Sequence, residues 1–114
     1  MHARMQYRGV RNITIANNRI RTWYRGPAIN LGDATDAKIV NNTVCRPPLE
    51  GSTNRSSVAA VAVSDVRSVS VIQNVFDHFW GSASAAVSVD GKSSSRVVVA
   101  NNSMGANIPY CGHY

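Results

Sequence analysis

Apolar residues along this chain come in pairs two positions apart, separated by short polar breaks, and the breaks carry a recurring spelling. IANNRI (15–20), IVNNTV (39–44), VIQNVF (71–76) and VANNSM (99–104) share it. Taking the second polar residue of each break as zero gives Asn18, Asn42, Asn74 and Asn102, spaced by 24, 32 and 28 residues. Repeat architectures occupy this range of periods. Five before zero stand Ile13, Ala37, Val69 and Val97; three before, Ile15, Ile39, Val71 and Val99; two after, Ile20, Val44, Phe76 and Met104. Every one is apolar in a chain that is 44% apolar overall, which random placement would give roughly once in 20,000 trials.

Offsets of minus five and minus three place side chains on one face of a strand, because strand side chains alternate with period two. A further apolar pair lies upstream in each repeat: Met5 and Tyr7, Ile29 and Leu31, Val61 and Val63, Val87 and Val89. Its second member stands eleven residues before zero in the first three repeats and thirteen before in the fourth, so DGKSSS carries two extra residues. The spacing predicts three short strands per repeat, with longer insertions after the third.

Asparagine is a poor strand former that favours turns and left-handed backbone, so each NN pair predicts a bend. Hairpins are a weaker explanation, since NN lacks the glycine that a type I′ turn prefers. The pattern resembles the right-handed parallel β-helix repeat of the pectate-lyase-like superfamily, in which I-x-I-x-N-N-x-I marks the second strand, a two-residue turn and the start of the third strand. The resemblance implies an all-β, right-handed parallel β-helix, a single-stranded solenoid of about four coils with three short strands per coil. Residues 1–114 would be one such domain, a segment of a longer repeat array. Asn18, Asn42, Asn74 and Asn102 would then stack as an internal ladder, each amide bonded to the next coil's turn.

Composition adds little to the fold but limits its setting. Charged residues make up 16% of the chain and no apolar stretch approaches a membrane span. The first residues contain no signal-peptide core, so the sequence does not set the compartment; a fragment of a secreted β-helix would be extracellular. The net charge is +6, with Arg4, Arg8, Arg11, Arg19, Arg21 and Arg25 in the first 25 positions. These arginines alternate with apolar residues as on a solvated strand face, and no nucleic-acid motif accompanies them, which disfavours a nucleic-acid partner. Cys45 and Cys111 lack metal-ligand spacing and read as small buried or free thiols.

The resemblance also implies a partner and a surface, because the superfamily's enzymes bind extended polysaccharide along the first sheet, beside loops that follow the third strand. Outward first-strand positions here are Gln6, Asn30, Ala62 and Ser88, then Arg8, Gly32, Ser64 and Asp90. Trp23, Tyr24 and Arg25, with Phe79 and Trp80, come from the adjoining loops. Aromatic faces beside a polar floor suit sugar rings, whose axial hydrogens pack on π surfaces while their hydroxyls need donors and acceptors. Substrate-binding candidates are therefore Asn30, Ser88, Lys92, Trp23, Tyr24, Arg25 and Trp80.

Asp33, Asp65 and Asp90 are the catalytic candidates. Asp33 and Asp65 should lie on neighbouring coils about 4.8 Å apart in backbone, close enough to perturb one another or share a cation such as calcium. Asp33 and Asp90 come nearer the roughly 6.5–9.5 Å that inverting hydrolysis needs. Aspartate is also the ordinary residue of a strand-ending turn. His78 adjoins Asp77, but adjacent strand residues point to opposite faces, which argues against a direct couple. The chain lacks the Asn-Thr-Asp, Asp-Asp, Gly-His-Gly and Arg-Ile-Lys set of polygalacturonases, the Asp-Pro-His signature of alginate epimerases and the arginine-proline signature of pectate lyases. No complete catalytic signature, cofactor motif or protein metal site is present. A structural or adhesive β-helix, tailspike-like and without chemistry, is the alternative. In either case the uncapped ends invite self-association.

Overall fold

The computed structural model describes residues 5–21, 27–45, 59–77, 86–92 and 94–105. These residues form strands and connecting bends without a helix. The strands are β1 (Met5–Arg8), β2 (Thr14–Ala16), β3 (Arg19–Arg21), β4 (Ile29–Val40), β5 (Thr43–Cys45), β6 (Val61–Ile72), β7 (Val75–Asp77), β8 (Val87–Val89), β9 (Ser95–Ala100) and β10 (Ser103–Gly105). One sheet runs β1-β4-β6-β8, with β2 beside β4 and β9 beside β6; a second runs β10-β7-β5-β3. Every pairing is parallel.

The register follows the sequence columns, so each repeat forms one row of the stack. Tyr7 pairs with Leu31, Leu31 with Val63 and Val63 with Val89. Ile15 pairs with Ile39, Ile39 with Val71 and Val71 with Val99. Ile20, Val44, Phe76 and Met104 align in the second sheet. These columns are the core: Ile29, Leu31, Ile39, Val44, Val61, Val69, Val71 and Phe76 are all almost wholly buried.

The spacing predicts three short strands per repeat, and in the second and third repeats the first two are instead continuous, as the twelve-residue strands β4 and β6. The reason lies in the backbone. Buried apolar side chains along β4 are Ile29, Leu31, Ala34, Ala37 and Ile39, and along β6 Val61, Val63, Val66, Val69 and Val71. Their spacing is two, three, three, two rather than a uniform two. Each step of three spans two consecutive residues directed away from the core, the second of them left-handed: Asp33 (φ 48°) and Asp36 (φ 55°), Asp65 (φ 53°) and Ser68 (φ 59°). A left-handed residue turns the chain and resets the alternation. Because neighbouring rows bend at the same place, hydrogen bonding continues through the bends. Asn12 (φ 53°) and Arg96 (φ 54°) occupy the same column as Asp36 and Ser68, and Gly9 (φ 72°) that of Asp33 and Asp65.

A third left-handed column contains Asn17, Asn41, Gln73 and Asn101, with φ between 56° and 60°. The two residues of each polar pair therefore divide the work. The first is exposed and turns the chain, a place that Gln73 fills in the third repeat. The second faces inward and joins the rows. Asn18 Nδ2 donates to Asn42 Oδ1 at 3.0 Å, Asn42 Nδ2 to Asn74 Oδ1 at 3.0 Å and Asn74 Nδ2 to Asn102 Oδ1 at 2.9 Å. The backbone N–H of each donor residue reaches the same oxygen, at 3.0, 2.9 and 2.9 Å. The other amide proton points back a row: Asn42 Nδ2 to Ile15 O, Asn74 Nδ2 to Ile39 O and Asn102 Nδ2 to Val71 O, each 3.0 Å. Asn42 and Asn74 are fully buried, and all of their side-chain donor and acceptor capacity is used.

Candidate functional site

The outward face of β1, β4, β6 and β8 is built as the sequence columns place it. Gln6, Asn30, Ala62 and Ser88 align in one row across the strands, and Arg8, Gly32 and Ser64 in the next. Asn30 is half-buried and Ser88 exposed. Glycine at position 32 makes room for a neighbour: a methyl group there would stand 2.9 Å from Arg8 Nη1 and 3.7 Å from Ser64 Oγ. The Arg8 guanidinium therefore lies across the sheet above Gly32. The charge of Arg8 was legible in the sequence; its seat over Gly32 follows only from the pairing with a residue that has no side chain.

Next to this floor is a shallow polar pocket of about 170 Å³, lined by Gly9, Val10, Arg11, Asp33 and Thr35. Gly9, Arg11 and Thr35 were not among the sequence candidates. Arg11 pairs across the sheet with Thr35, so an exposed cation and an exposed carboxylate border the same recess.

Asp33 and Asp65 occupy equivalent positions on adjacent strands, since Gly32 pairs with Ser64 and Ala34 with Val66 on either side of them. Both are exposed and both have the left-handed backbone that turns their strands. Asp90 follows Val89, which pairs with Val63, so it stands one position earlier in the next row. Its backbone N–H donates to Val63 O at 3.0 Å and its Oδ1 accepts from Lys92 N at 3.1 Å, an Asx-type turn. Lys92 is exposed in that turn. All three acids border the first-sheet face, and each also has a turn-forming role.

The described residues contain no group of three or more His, Cys, Asp or Glu side chains that could hold a metal ion. Two stacked carboxylates would fill only part of the roughly six to eight oxygen positions that calcium takes. Trp23, Tyr24, Arg25, Phe79 and Trp80, together with His78, lie outside the described residues. No helix among the described residues is long and apolar enough to cross a membrane.

In the second sheet, Arg21, Cys45 and Asp77 align. Asp77 is only 2% exposed and Cys45 fully buried. Cys45 is disulfide-bonded, which corrects the expectation of a free thiol; its Sγ packs 3.6 Å from Ile20 O. The chain's other cysteine is Cys111, outside the described residues. Spacing alone could not reveal that Cys45 is bridged.

No family model, curated protein or solved structure matches the chain.

Proposed function

We propose that the chain is part of a right-handed parallel β-helix of the pectate-lyase-like kind, whose first-sheet face binds an extended acidic polysaccharide. The observation that carries this reading is Arg8 laid across Gly32 beside Ser64. A guanidinium whose end rests over a residue without a side chain is exposed on the sheet face, where its planar fork of donors can pair with a carboxylate such as that of a uronate. Gln6, Asn30 and Ser88 in the adjoining row offer donors and acceptors to hydroxyls. Arg11 at the neighbouring recess adds a second cation. Trp23, Tyr24, Arg25 and Trp80, outside the described residues, are the further binding candidates that the sequence offers. Lys92 would extend the basic character of the face.

The test is binding of the purified chain to polygalacturonate, alginate and a neutral glucan, with product assays in the presence and absence of calcium. Binding of the acidic polymers that Arg8→Ala weakens at least tenfold supports the proposal. Unsaturated or reducing-end products would add catalysis and direct attention to Asp33, Asp65 and Asp90. Failure to bind any acidic polymer would overturn it.

A structural or adhesive β-helix without catalysis is the second reading. It is favoured by the left-handed backbone of Asp33 and Asp65 and the Asx turn of Asp90, because turn chemistry then accounts for all three acids.

A further inference from the structure

Asparagine followed at the second position by serine or threonine, with no proline between, is the acceptor sequence for an N-linked glycan. Among the described residues it occurs at Asn12-Ile13-Thr14, Asn41-Asn42-Thr43 and Asn101-Asn102-Ser103. A further instance, Asn54-Arg55-Ser56, lies outside them. In all three the acceptor asparagine is exposed and sits at a corner, with a left-handed backbone at φ 53° for Asn12 and 56° for Asn41 and Asn101.

The register separates these asparagines from those of the ladder. Two residues past the corner residue of each polar pair lies the row Arg19–Thr43–Val75–Ser103, which is not part of the core and accepts a hydroxyl. Two residues past each ladder asparagine lies the core column Ile20–Val44–Phe76–Met104, where a hydroxyl would lose its water. Asn18, Asn42, Asn74 and Asn102 therefore lack the acceptor sequence, and it marks the surface member of the pair. A glycan is bulky and hydrophilic, so its asparagine must face water in the finished fold. The corners meet that requirement. Cys45 points to the same setting, because it is disulfide-bonded and disulfides persist in oxidising secretory and extracellular compartments.

We propose that Asn12, Asn41 and Asn101 carry N-linked glycans. The donor is an oligosaccharide on a lipid pyrophosphate. A bond forms between the asparagine Nδ2 and the anomeric carbon of the first sugar. The bond from that carbon to the pyrophosphate oxygen breaks, its electron pair leaves with the lipid pyrophosphate, and Nδ2 gives up one proton. The other proton remains, and the contact of Asn41 Nδ2 with Asn17 Oδ1 at 2.7 Å needs only one. Asn41 and Asn101 share a column with Gln73 between them, so their glycans stand two rows, about 10 Å, apart. The bends at Asp33 and Asp36 separate that corner from the row of Gly32 and Arg8, and glycans there leave the first-sheet face open. Asn12 borders the recess, its backbone N–H donating to Thr35 O at 3.0 Å.

The test is mass spectrometry of the chain purified from the organism that makes it. Peptide N-glycosidase in heavy-oxygen water leaves a labelled aspartate wherever it removes a glycan. Asn12, Asn41 and Asn101 should be labelled, and only when the enzyme is present; Asn17, Asn18 and Asn42 should not. Thr43→Ala and Ser103→Ala, produced in the same host, should lose the label at Asn41 and Asn101 respectively and keep it at the other sites, while Thr43→Ser should keep all three. Loss at one site alone distinguishes a missing acceptor from failed folding or export, which would remove every glycan together. Absence of label from all three asparagines overturns the proposal, and absence from one removes that site. Label that persists at Asn41 in Thr43→Ala, or that appears at Asn42, would also overturn it.

Discussion

Asn42 and Asn74, 32 residues apart, meet at one oxygen: Asn74 Oδ1 accepts from Asn42 Nδ2 at 3.0 Å and from Asn42 N at 2.9 Å. Both side chains are fully buried. Removing one partner of a buried hydrogen bond exposes the full desolvation cost of the other. Because Asn42 bonds to the rows on both sides, its loss strands groups in both.

Asn42→Ala should therefore destabilise by about 1–3 kcal/mol for each group left unpaired. Asn41→Ala, at the exposed neighbouring position, should cost less, about 1 kcal/mol, because its Nδ2 contact with Asn17 Oδ1 lies in water and only the left-handed strain of alanine at φ 56° is added. Chemical denaturation of the two variants gives the comparison, and equal losses would contradict an internal ladder.

Arg96 has a left-handed backbone at φ 54° and an exposed side chain. That conformation strains a residue with a Cβ by about 1–2 kcal/mol, whereas glycine adopts it freely and loses only part of the gain through its more flexible unfolded state. Arg96→Gly should raise stability by about 0.5–1 kcal/mol and Arg96→Val should lower it. A fall for Arg96→Gly in thermal or urea unfolding would count against the left-handed column.

Gly32→Ala separates fold from recognition. The new methyl would meet the far end of the flexible Arg8 side chain at 2.9 Å, so Arg8 moves and the sheet does not. Stability should stay within about 0.5 kcal/mol of wild type. Polyuronate affinity should fall nearly as far as in Arg8→Ala. Unchanged affinity in isothermal calorimetry would remove the seat of Arg8 over Gly32 from the account.

Cys45 should resist alkylation in the unfolded chain until a reductant is added, as mass spectrometry would show. Reduction should then lower stability by about 2–4 kcal/mol. Immediate labelling of the unreduced chain would exclude the bridge.

The columns legible in the sequence, such as Ile15–Ile39–Val71–Val99, depend on one physical signal, apolar side chains recurring at fixed offsets from an asparagine. The column Val10–Ala34–Val66–Ser94 was not legible, since a serine breaks its hydrophobicity and left-handed turns set it three residues, not two, from its buried neighbours. The continuity of β4 and β6 was hidden for a different reason: Asp33, Asp36, Asp65 and Ser68 look like loop residues, and only their shared left-handed backbone lets parallel pairing run through them. At the candidate site, the alignment of Asp33 with Asp65 followed from counting residues. The seat of Arg8 required knowledge of which residue lies across from it.

The most direct test of the stacked rows is hydrogen exchange of the asparagine side-chain amides, followed by NMR. Asn42 and Asn74 should retain protected Nδ2 protons long after those of Asn41 have exchanged, and should show cross-peaks to each other's row. Exchange of Asn42 and Asn74 as fast as that of Asn41 would contradict the ladder and with it the register on which the face and the recess depend.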